Sequence, residues 1–417
     1  MAVKTTSVAS PITLRCGLTL PNRLIKAAMA EHEVGSDMLP NDALFSSYEP
    51  WSEGGWGMVM TGNVQIDGRY LGHNGDVAYN ESVSYEKQLS AWKRWAEVCT
   101  RHGTPTIVQI NHPGRQSPPF AGSKGFWDKT ISSSAVPMSL GNGCLPAVLG
   151  RLVFGTPKEM TKEDIQHVVQ GFAKTAKLAA EAGFAGAEIH GAHGYLIDQF
   201  MSEKVNQRTD EYGGSPAKRV RIVIEIIEAI RAVVPASFCI GIKFNSVDHQ
   251  SEERLRECVE GLKVITDAGI DFMEVSGGSY ENPRMMGIDI TSEKQADSTK
   301  AREAFFLQFA SRIRLEFPDT PLMVTGGFRT RKGMQAALDA GDCELIGVGR
   351  PAALDPALPL TKILNTHLGD EEATLYARKP QTSRAVEALG LKSLMGVLGA
   401  GAETAWYSKK IRDLGKL

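Results

Sequence analysis

Two histidines and a tyrosine stand close together in the segment Ala187–Leu196, which reads AEIHGAHGYL. The apolar run that ends at Ile189 predicts a short buried strand, and the glycines after it predict a tight loop. His190, His193 and Tyr195 would therefore be presented together at the carboxyl end of that strand. Two imidazoles can donate hydrogen bonds to one oxygen atom, and a phenol can deliver a proton nearby. These residue types predict a site that polarises a carbonyl group.

A metal site is the alternative interpretation of this segment, because His-x-x-His spacing also occurs among metal ligands. Such a site would need a third ligand at a matching strand end. The nearest acidic residue, Glu188, lies two positions inside the strand and so one step deeper than His190. The pattern therefore favours hydrogen-bond donors, and we expect no metal here.

A longer string continues this segment and resembles a known family. LIDQF follows directly at Leu196–Phe200, and NQRTDEYGGS occupies Asn206–Ser215. The combined string resembles the signature of the Old Yellow Enzyme family of FMN-dependent ene-reductases and NADH:flavin oxidoreductases. Further motifs between Asn22 and Arg350 extend the resemblance over most of the chain. It implies an enzyme that holds FMN, takes electrons from NADH or NADPH, and reduces a small-molecule enone.

Length and composition set limits on the class of protein. The 417 residues are 42% hydrophobic and 23% charged, which suits one α/β barrel with insertions, a fold that can exceed about 400 residues. The net charge of −2 gives no global field to attract nucleic acid or an anionic membrane. No apolar run is long enough to span a bilayer, and residues 1–10 lack the apolar core of a signal peptide. We expect a cytoplasmic protein.

The cysteines are scattered, without any Cys-x-x-Cys pair, which speaks against a zinc ribbon or an iron–sulfur cluster. The resemblance makes this informative, because larger members of the family carry a cysteine-rich cluster after the barrel. The six cysteines are Cys16, Cys99, Cys144, Cys239, Cys258 and Cys343.

Strand-like and helix-like stretches alternate along the chain. The predicted strands are Leu24–Met29, Met58–Asn63, Thr106–Ile110, Ala185–Ile189, Ile240–Phe244, Phe272–Ser276, Leu322–Thr325 and Glu344–Val348. The predicted helices are Asp42–Glu53, Ser84–His102, Lys162–Ala182, Ala217–Val233, Glu252–Ala268, Lys300–Glu316 and Arg331–Ala340. Eight βα units in series favour a single (β/α)8 TIM barrel. A doubly wound sheet would need a Gly-x-Gly-x-x-Gly turn after its first strand, and none is present.

Two segments depart from this alternation. His112–Met160, rich in Gly, Pro and Ser, follows the third strand and is predicted to cap the mouth of the site. The chain is predicted to form one domain over residues 1–417. The barrel covers about 22–365, and a C-terminal helical extension follows at about 366–417. Its aromatic stretch Ala405–Trp406–Tyr407 is more typical of packing, or of a subunit contact in a homo-oligomer, than of chemistry. Further pocket walls are expected from His32 and from Ser279–Tyr280.

The ends of the first three strands are expected to contact the flavin, because TIM barrels place their working residues at the carboxyl ends of strands. The resemblance places Ala27–Ala28–Met29–Ala30 along the flavin ring and Asn63 near it. Relatives usually carry Thr or Cys at the last of these four positions, so Ala30 puts the tuning of the flavin potential in doubt. The amide of Gln109 can donate and accept, which suits the pyrimidine edge of a flavin. A buried glutamine satisfied by backbone is the alternative.

The fourth and fifth strands are expected to supply the catalytic groups. The resemblance implies that His190 and His193 bind the substrate oxygen beside the flavin. It also implies that Tyr195 protonates the α-carbon after hydride reaches the β-carbon. Lys243 lies where relatives usually place Arg beside flavin N1 and O2. It keeps the positive charge but loses the planar fork, and a salt-bridged lysine of the barrel is the alternative.

Glycines and an arginine mark the last two strand ends. Gly326 and Gly327 follow the seventh strand, and Gly349 and Arg350 follow the eighth. Such glycines let backbone N–H groups approach a phosphate, and an arginine can donate two hydrogen bonds to it. Barrels often bind phosphate at these two loops, so the FMN phosphate is the expected occupant. A pair of ordinary tight turns is the alternative.

Two other functions stay open at this point. The same scaffold could run in the oxidising direction, as a flavin-dependent desaturase or dehydrogenase of a biosynthetic pathway. It could also be a non-catalytic barrel that binds a ligand without flavin, although the full set of flavin-facing residues argues against this.

Overall fold

The computed structural model describes residues 6–125, 127–139, 144–246, 251–276, 297–378 and 392–416, with side chains left aside for 144–147, 149, 297–306 and 392–400. Eight parallel strands form a closed barrel. They are β1 Leu24–Lys26, β2 Met58–Gln65, β3 Thr106–Asn111, β4 Gly186–Gly191, β5 Cys239–Asn245, β6 Phe272–Ser276, β7 Leu322–Thr325 and β8 Leu345–Val348. Strand β8 pairs back onto β1 through Ile346 and Leu24, which closes the barrel. The predicted (β/α)8 TIM barrel is confirmed.

Helices surround the barrel in the predicted order. They are α1 Asp42–Glu53, α2 Tyr85–Thr100, α3 Lys162–Ala182, α4 Arg221–Arg231, α5 Glu252–Asp267, α6 Asp297–Glu316, α7 Arg331–Asp339 and α8 Lys392–Leu414. Shorter helical segments are Gly114–Gln116, Cys144–Phe154, Leu196–Met201, Pro216–Arg219, Arg350–Ala353 and Pro359–Ile363. Short strands are Ile12–Thr13, Thr19–Leu20, Val77–Ala78, Ile131–Ser132 and Lys158–Glu159. None of the helices in these ranges is long and apolar enough to cross a membrane.

Local sequence signals fix several helix ends. Thr161 caps α3, since its hydroxyl accepts from the Asp164 N–H while the Asp164 carboxylate accepts from the Thr161 N–H. This reciprocal pair satisfies two donors that a helix start leaves open. Gly183, Gly269 and Gly341 follow α3, α5 and α7 with φ of +104°, +92° and +71°. Glycine adopts this left-handed conformation at no steric cost, so the helices stop there.

Strand β4 is longer than predicted. It runs through His190 to Gly191, two residues past the expected end at Ile189, and His190 pairs in register with Lys243 of β5. His190 is therefore held by the sheet, whereas His193 and Tyr195 follow in the loop. His193 has a φ of +63°, a backbone angle that residues other than glycine rarely adopt.

An N-terminal β-hairpin, Ile12–Thr13 paired with Thr19–Leu20, closes the amino-terminal end of the barrel. Leu14 and Leu20 are almost fully buried there. They form one apolar cluster with side chains from the first halves of the strands: Ile25, Met58, Met60, Ile107, Cys239, Phe272, Met323 and Leu345. Burial of these side chains stabilises the barrel floor by the hydrophobic effect.

Candidate active site

A cavity of about 410 Å³ opens at the carboxyl ends of the strands. The structure brings every predicted site residue to its wall: Ala27, Ala28, Met29, Ala30, Asn63, Gln109, His190, His193, Tyr195, Lys243, Gly326, Gly327, Gly349 and Arg350. They come from seven of the eight strand ends, since no residue of this set follows β6. The sixth strand contributes Ser276, which the sequence analysis did not select.

A chain of hydrogen bonds runs through the two histidines. Asn63 Oδ1 lies 2.8 Å from His190 Nδ1. His190 Nε2 lies 2.9 Å from His193 Nδ1. His193 Nε2 lies 3.1 Å from the Ser276 hydroxyl. With the Asn63 oxygen accepting from His190, the chain has one direction: His193 donates to His190, and Ser276 donates to His193. Asn63 and Ser276 therefore fix the tautomers of both rings.

Both imidazoles are neutral near pH 7. Burial lowers the pKa of His190 and of His193 well below their usual range, and the nearby positive charge of Lys243 acts in the same direction. A neutral imidazole donates one hydrogen bond and accepts one. The pair therefore adds no net charge to the cavity.

Tyr195 stands beside this chain at the start of the helix Leu196–Met201. Its ring lies 4.8 Å from the His190 ring, centroid to centroid, in an edge-on contact. Asp198 holds the loop that carries Tyr195, because its carboxylate accepts from the Gly194 N–H at 2.6 Å and from the Asn245 amide at 2.6 Å. Asp198 lies within the LIDQF string, but the sequence alone indicated no role for it.

A layer of polar side chains crosses the barrel interior beneath the histidines. Lys243 Nζ lies 2.7 Å from Glu274 Oε1, and both side chains are almost fully buried. The Gln109 amide donates to Glu188 at 2.5 Å. Burial and the adjacent Glu274 carboxylate raise the pKa of Glu188 well above its usual range. Burial and the neighbouring carboxylate therefore favour a proton on Glu188.

This layer shows what holds Lys243 and Gln109 at the cavity. Lys243 forms a barrel salt bridge, as the alternative had it, and it also lines the cavity. Gln109 is held by a side chain, Glu188, rather than by backbone, and it lines the cavity as well. Each residue is thus anchored below by a carboxylate and presents its remaining surface to the cavity.

The loops after β7 and β8 form the glycine-rich end of the cavity. Gly326 and Gly327 have φ of +148° and +78°, which favours glycine at both positions. The Thr325 hydroxyl at this end is buried without a hydrogen-bond partner in the part of the chain that the structure describes. Arg350 opens the short helix Arg350–Ala353 and forms a 2.7 Å ion pair with Glu403 of α8. The Thr325 hydroxyl, the backbone N–H groups of the glycines and the Arg350 guanidinium are all donors. Together they suit the binding of a phosphate group.

The C-terminal helix α8 forms a wall that the sequence analysis did not foresee. Its cavity residues are Gly401, Glu403, Thr404, Ala405 and Tyr407. The Ser408 hydroxyl donates to the Ala30 carbonyl at 2.7 Å, which ties α8 to the first strand end. The stretch Ala405–Trp406–Tyr407, expected to serve packing or a subunit contact, therefore also contributes Ala405 and Tyr407 to the cavity.

The insertion after β3 contacts the site through the loop after β4. In the ranges the structure describes, no residue of His112–Met160 lines the cavity. Instead the Gln116 amide donates to the His193 carbonyl at 2.9 Å, so the insertion supports the loop after β4. Ser279–Tyr280 lies outside the described residues. His32 does line the cavity, with its ring stacked 4.0 Å from that of His73.

Comparison with known proteins places this site in a family. The model of the NADH:flavin oxidoreductase / NADH oxidase family matches residues 7–368. The NADH-dependent flavin oxidoreductase iccE of Talaromyces variabilis is 47% identical over 411 residues, which is 98% of each chain. The NADH-dependent flavin oxidoreductase iliE of Neonectria sp. (strain DH2) is 49% identical over 393 residues, 92% of this chain and 51% of that protein. The chain thus spans about half the length of this second relative.

Solved structures share the fold. An Old Yellow Enzyme homologue from Zymomonas mobilis superimposes with a TM-score of 0.68 at 21% identity, over 89% of this chain and 97% of that one. Morphinone reductase gives 0.67 at 21% identity, over 86% of this chain and 90% of that one. The family model, the close relatives and the site geometry agree. The chain belongs to the NADH:flavin oxidoreductase / NADH oxidase family, the FMN-dependent oxidoreductases of the Old Yellow Enzyme type.

Proposed function

We propose that this FMN-dependent oxidoreductase reduces the C=C bond of α,β-unsaturated carbonyl compounds with NADH or NADPH. The observation that carries the proposal is that two neutral histidines and Tyr195 line one cavity. The glycine-rich loops after β7 and β8 line the same cavity. Bound FMN would supply hydride transfer, which the side chains cannot perform. The five cysteines with described side chains are free thiols, which supports a proposed cytoplasmic setting.

Different residues around the cavity would bind different parts of FMN. Gly326, Gly327, Gly349 and Arg350 would hold the phosphate. Ala27–Ala30, Asn63, Gln109, His190 and Lys243 would face the ring system. Lys243 would offset negative charge on the reduced ring while Glu274 keeps the lysine in place. Glu403 of α8 would orient the Arg350 guanidinium toward the phosphate from behind.

The direct hydrogen bond between the two histidines must open when a substrate oxygen binds. In the chain as it stands, His190 Nε2 accepts from His193, so neither ring donates a second hydrogen bond into the cavity. If the Asn63 amide turns its NH₂ group toward His190 Nδ1, the His190 proton moves to Nε2. Both rings can then donate to one oxygen atom. Such preorganised donors stabilise the charge that develops on a carbonyl oxygen.

Tyr195 would supply the proton that completes reduction. A phenol with an ordinary pKa of about 10 is a weak but usable acid toward an enolate. The loop held by Asp198 fixes the phenol beside His190, where it would reach a substrate held by the histidines. The reaction then needs no charged acid in the cavity.

Binding of phenols tests the oxygen-binding role directly. A phenolate that stacks on the flavin gives a long-wavelength charge-transfer band, and His190→Ala is expected to abolish that band. His367→Ala, at an exposed position, is the matched control and should leave it unchanged. An unaltered band in His190→Ala would refute the assignment. A purified protein without flavin absorbance would favour the ligand-binding barrel, and turnover under air without NADH or NADPH would favour the desaturase.

A further inference from the structure

The floor of the barrel brings together two thiols that the proposed chemistry does not use. Cys16 lies in the turn of the N-terminal hairpin, and Cys239 is the first residue of β5. Their sulfur atoms and a carboxylate oxygen of Asp271 all lie within 4.8 Å of one another. Three such groups could bind a soft metal ion, or the two thiols could form a disulfide.

The surroundings of Asp271 favour the disulfide. One of its carboxylate oxygens accepts from Arg231 Nη2 at 2.7 Å and from the Ile240 N–H at 2.7 Å. Its charge is therefore already compensated by Arg231, and its hydrogen bonds hold the start of β5. A metal ion would have to compete with this partly buried ion pair. The two thiols are left as a pair without a committed third ligand.

The two thiols have unequal environments. Cys16 is partly exposed, whereas Cys239 is fully buried. The hydrogen bond from the Cys239 thiol, aided by the Leu18 N–H, lowers the pKa of Cys16 to about 7 against the effect of its burial. The same hydrogen bond and burial raise the pKa of Cys239 well above its usual range. The partly exposed Cys16 is thus the nucleophile toward an oxidant, and the buried Cys239 remains a thiol in the reduced protein.

We propose that hydrogen peroxide converts Cys16 and Cys239 into a disulfide that links the N-terminal hairpin to β5. Hydrogen peroxide oxidises the Cys16 thiolate to a sulfenic acid and leaves as hydroxide. The Cys239 sulfur then attacks the Cys16 sulfur, an S–S bond forms, and the sulfenic oxygen leaves as water. Two thiols lose two electrons in total, and one peroxide becomes two water molecules. A dithiol reductant reverses the bond by thiol–disulfide exchange.

The bond would strengthen the floor and leave the cavity alone. The hairpin already packs on the floor through Leu14 and Leu20. A cross-link between residues far apart in sequence restricts the unfolded chain, which raises the melting temperature. The cavity lies at the opposite end of the same strands. Oxidation should therefore stabilise the fold without changing the rate of flavin reduction by NADH.

The test uses the full-length, FMN-loaded protein, first reduced with dithiothreitol and then exposed to hydrogen peroxide. Peptide mapping without reductant is expected to find Cys16 joined to Cys239, with the loss of two hydrogen atoms and reversal by dithiothreitol. The melting temperature should rise by roughly 5 °C or more, the scale for a cross-link that closes a long loop. Cys16→Ser should abolish both the cross-link and this rise.

Two further variants keep the test decisive. Cys239→Ser removes the second thiol and keeps a hydroxyl that can donate to Cys16, so the Cys16 sulfenic acid should still form, persist and be trapped by dimedone. Cys343→Ala removes another buried thiol and should leave the cross-link intact. The proposal is overturned if peroxide leaves Cys16 reduced, if Cys16 reaches the sulfinic acid while Cys239 stays a thiol, or if the cross-link joins other cysteines. Stoichiometric zinc that is lost in Cys16→Ser would also overturn it.

Discussion

The two ends of the barrel use the same eight strands for opposite purposes. At the carboxyl end the strands present polar groups such as His190, Lys243 and Gln109 to a cavity. At the amino-terminal end they present apolar side chains, which Leu14 and Leu20 of the hairpin cover. The contrast shows that the last residues of a strand can line the functional cavity while its first residues stabilise the fold.

The polar end needs more support than the apolar end. Burying a charge is costly unless it is paired, and Lys243 has Glu274 for this purpose. The neutral amide of Gln109 likewise has Glu188. The floor needs only close packing. Substitutions at the two ends should therefore separate effects on flavin chemistry from effects on the free energy of unfolding.

The largest effect is expected at the buried ion pair. Lys243→Met leaves the Glu274 carboxylate unpaired, so the free energy of unfolding should fall by about 3–5 kcal/mol. Flavin reduction by NADH should also slow. Urea unfolding and stopped-flow absorbance measure the two effects. Lys177→Met, which removes an exposed lysine, is the control.

A second variant sharpens this comparison. Adding Glu274→Gln to Lys243→Met removes the unpaired charge, so much of the lost stability should return. Flavin reduction should stay slow, because the positive charge is still missing. Equal recovery of both properties would mean that Lys243 acts only as a structural residue. Lys243→Arg keeps the charge and should retain both properties.

At the floor, Leu14→Ala should cost about 3 kcal/mol of stability, since it opens a cavity among well-packed apolar side chains. Flavin reduction by NADH, measured where the variant is still folded, should match the wild type. A slower rate would show that the two ends of the barrel are coupled, which would break the comparison.

Tyr195→Phe should affect chemistry alone. Reoxidation of the reduced flavin by an enone should slow by ~10²-fold, the scale of general acid catalysis and about 2.7 kcal/mol of activation free energy. Reduction by NADH and reoxidation by oxygen, which need no carbon protonation, should stay near wild type. Tyr376→Phe, at an exposed position, is the matched control. Unchanged enone reoxidation in Tyr195→Phe would remove this residue from the mechanism.

The smallest effect is expected at Ala30, which lines the cavity without a hydrogen-bonding side chain. Ala30→Thr or Ala30→Cys should shift the flavin midpoint potential by about 1 kcal/mol, or about 20 mV for two electrons. Spectroelectrochemical titration measures the shift. An unchanged potential in both variants would place this side chain away from the flavin.

Much of the barrel was predictable because buried parallel strands appear in a sequence as short apolar runs. The end of β4 was missed, since Gly191 suggests a loop and only pairing with β5 shows that the strand continues. The Lys243–Glu274 pair carried a usable signal: an acidic residue inside the apolar run of β6, in register with the lysine. The position of α8 had no local signal, because it depends on packing against distant parts of the chain.

The wall formed by α8 has a consequence for the order of events in the cell. The ribosome makes Ala27–Ala30 early and Gly401–Tyr407 roughly 20–70 s later, at ordinary rates of synthesis. Both segments border the cavity, and Ser408 joins them. A nascent chain can therefore complete the barrel while one side of its cofactor cavity is still unbuilt. Enclosure of FMN is then a step that follows synthesis of α8, and retention of the cofactor is expected to report on docking of α8 rather than on closure of the barrel.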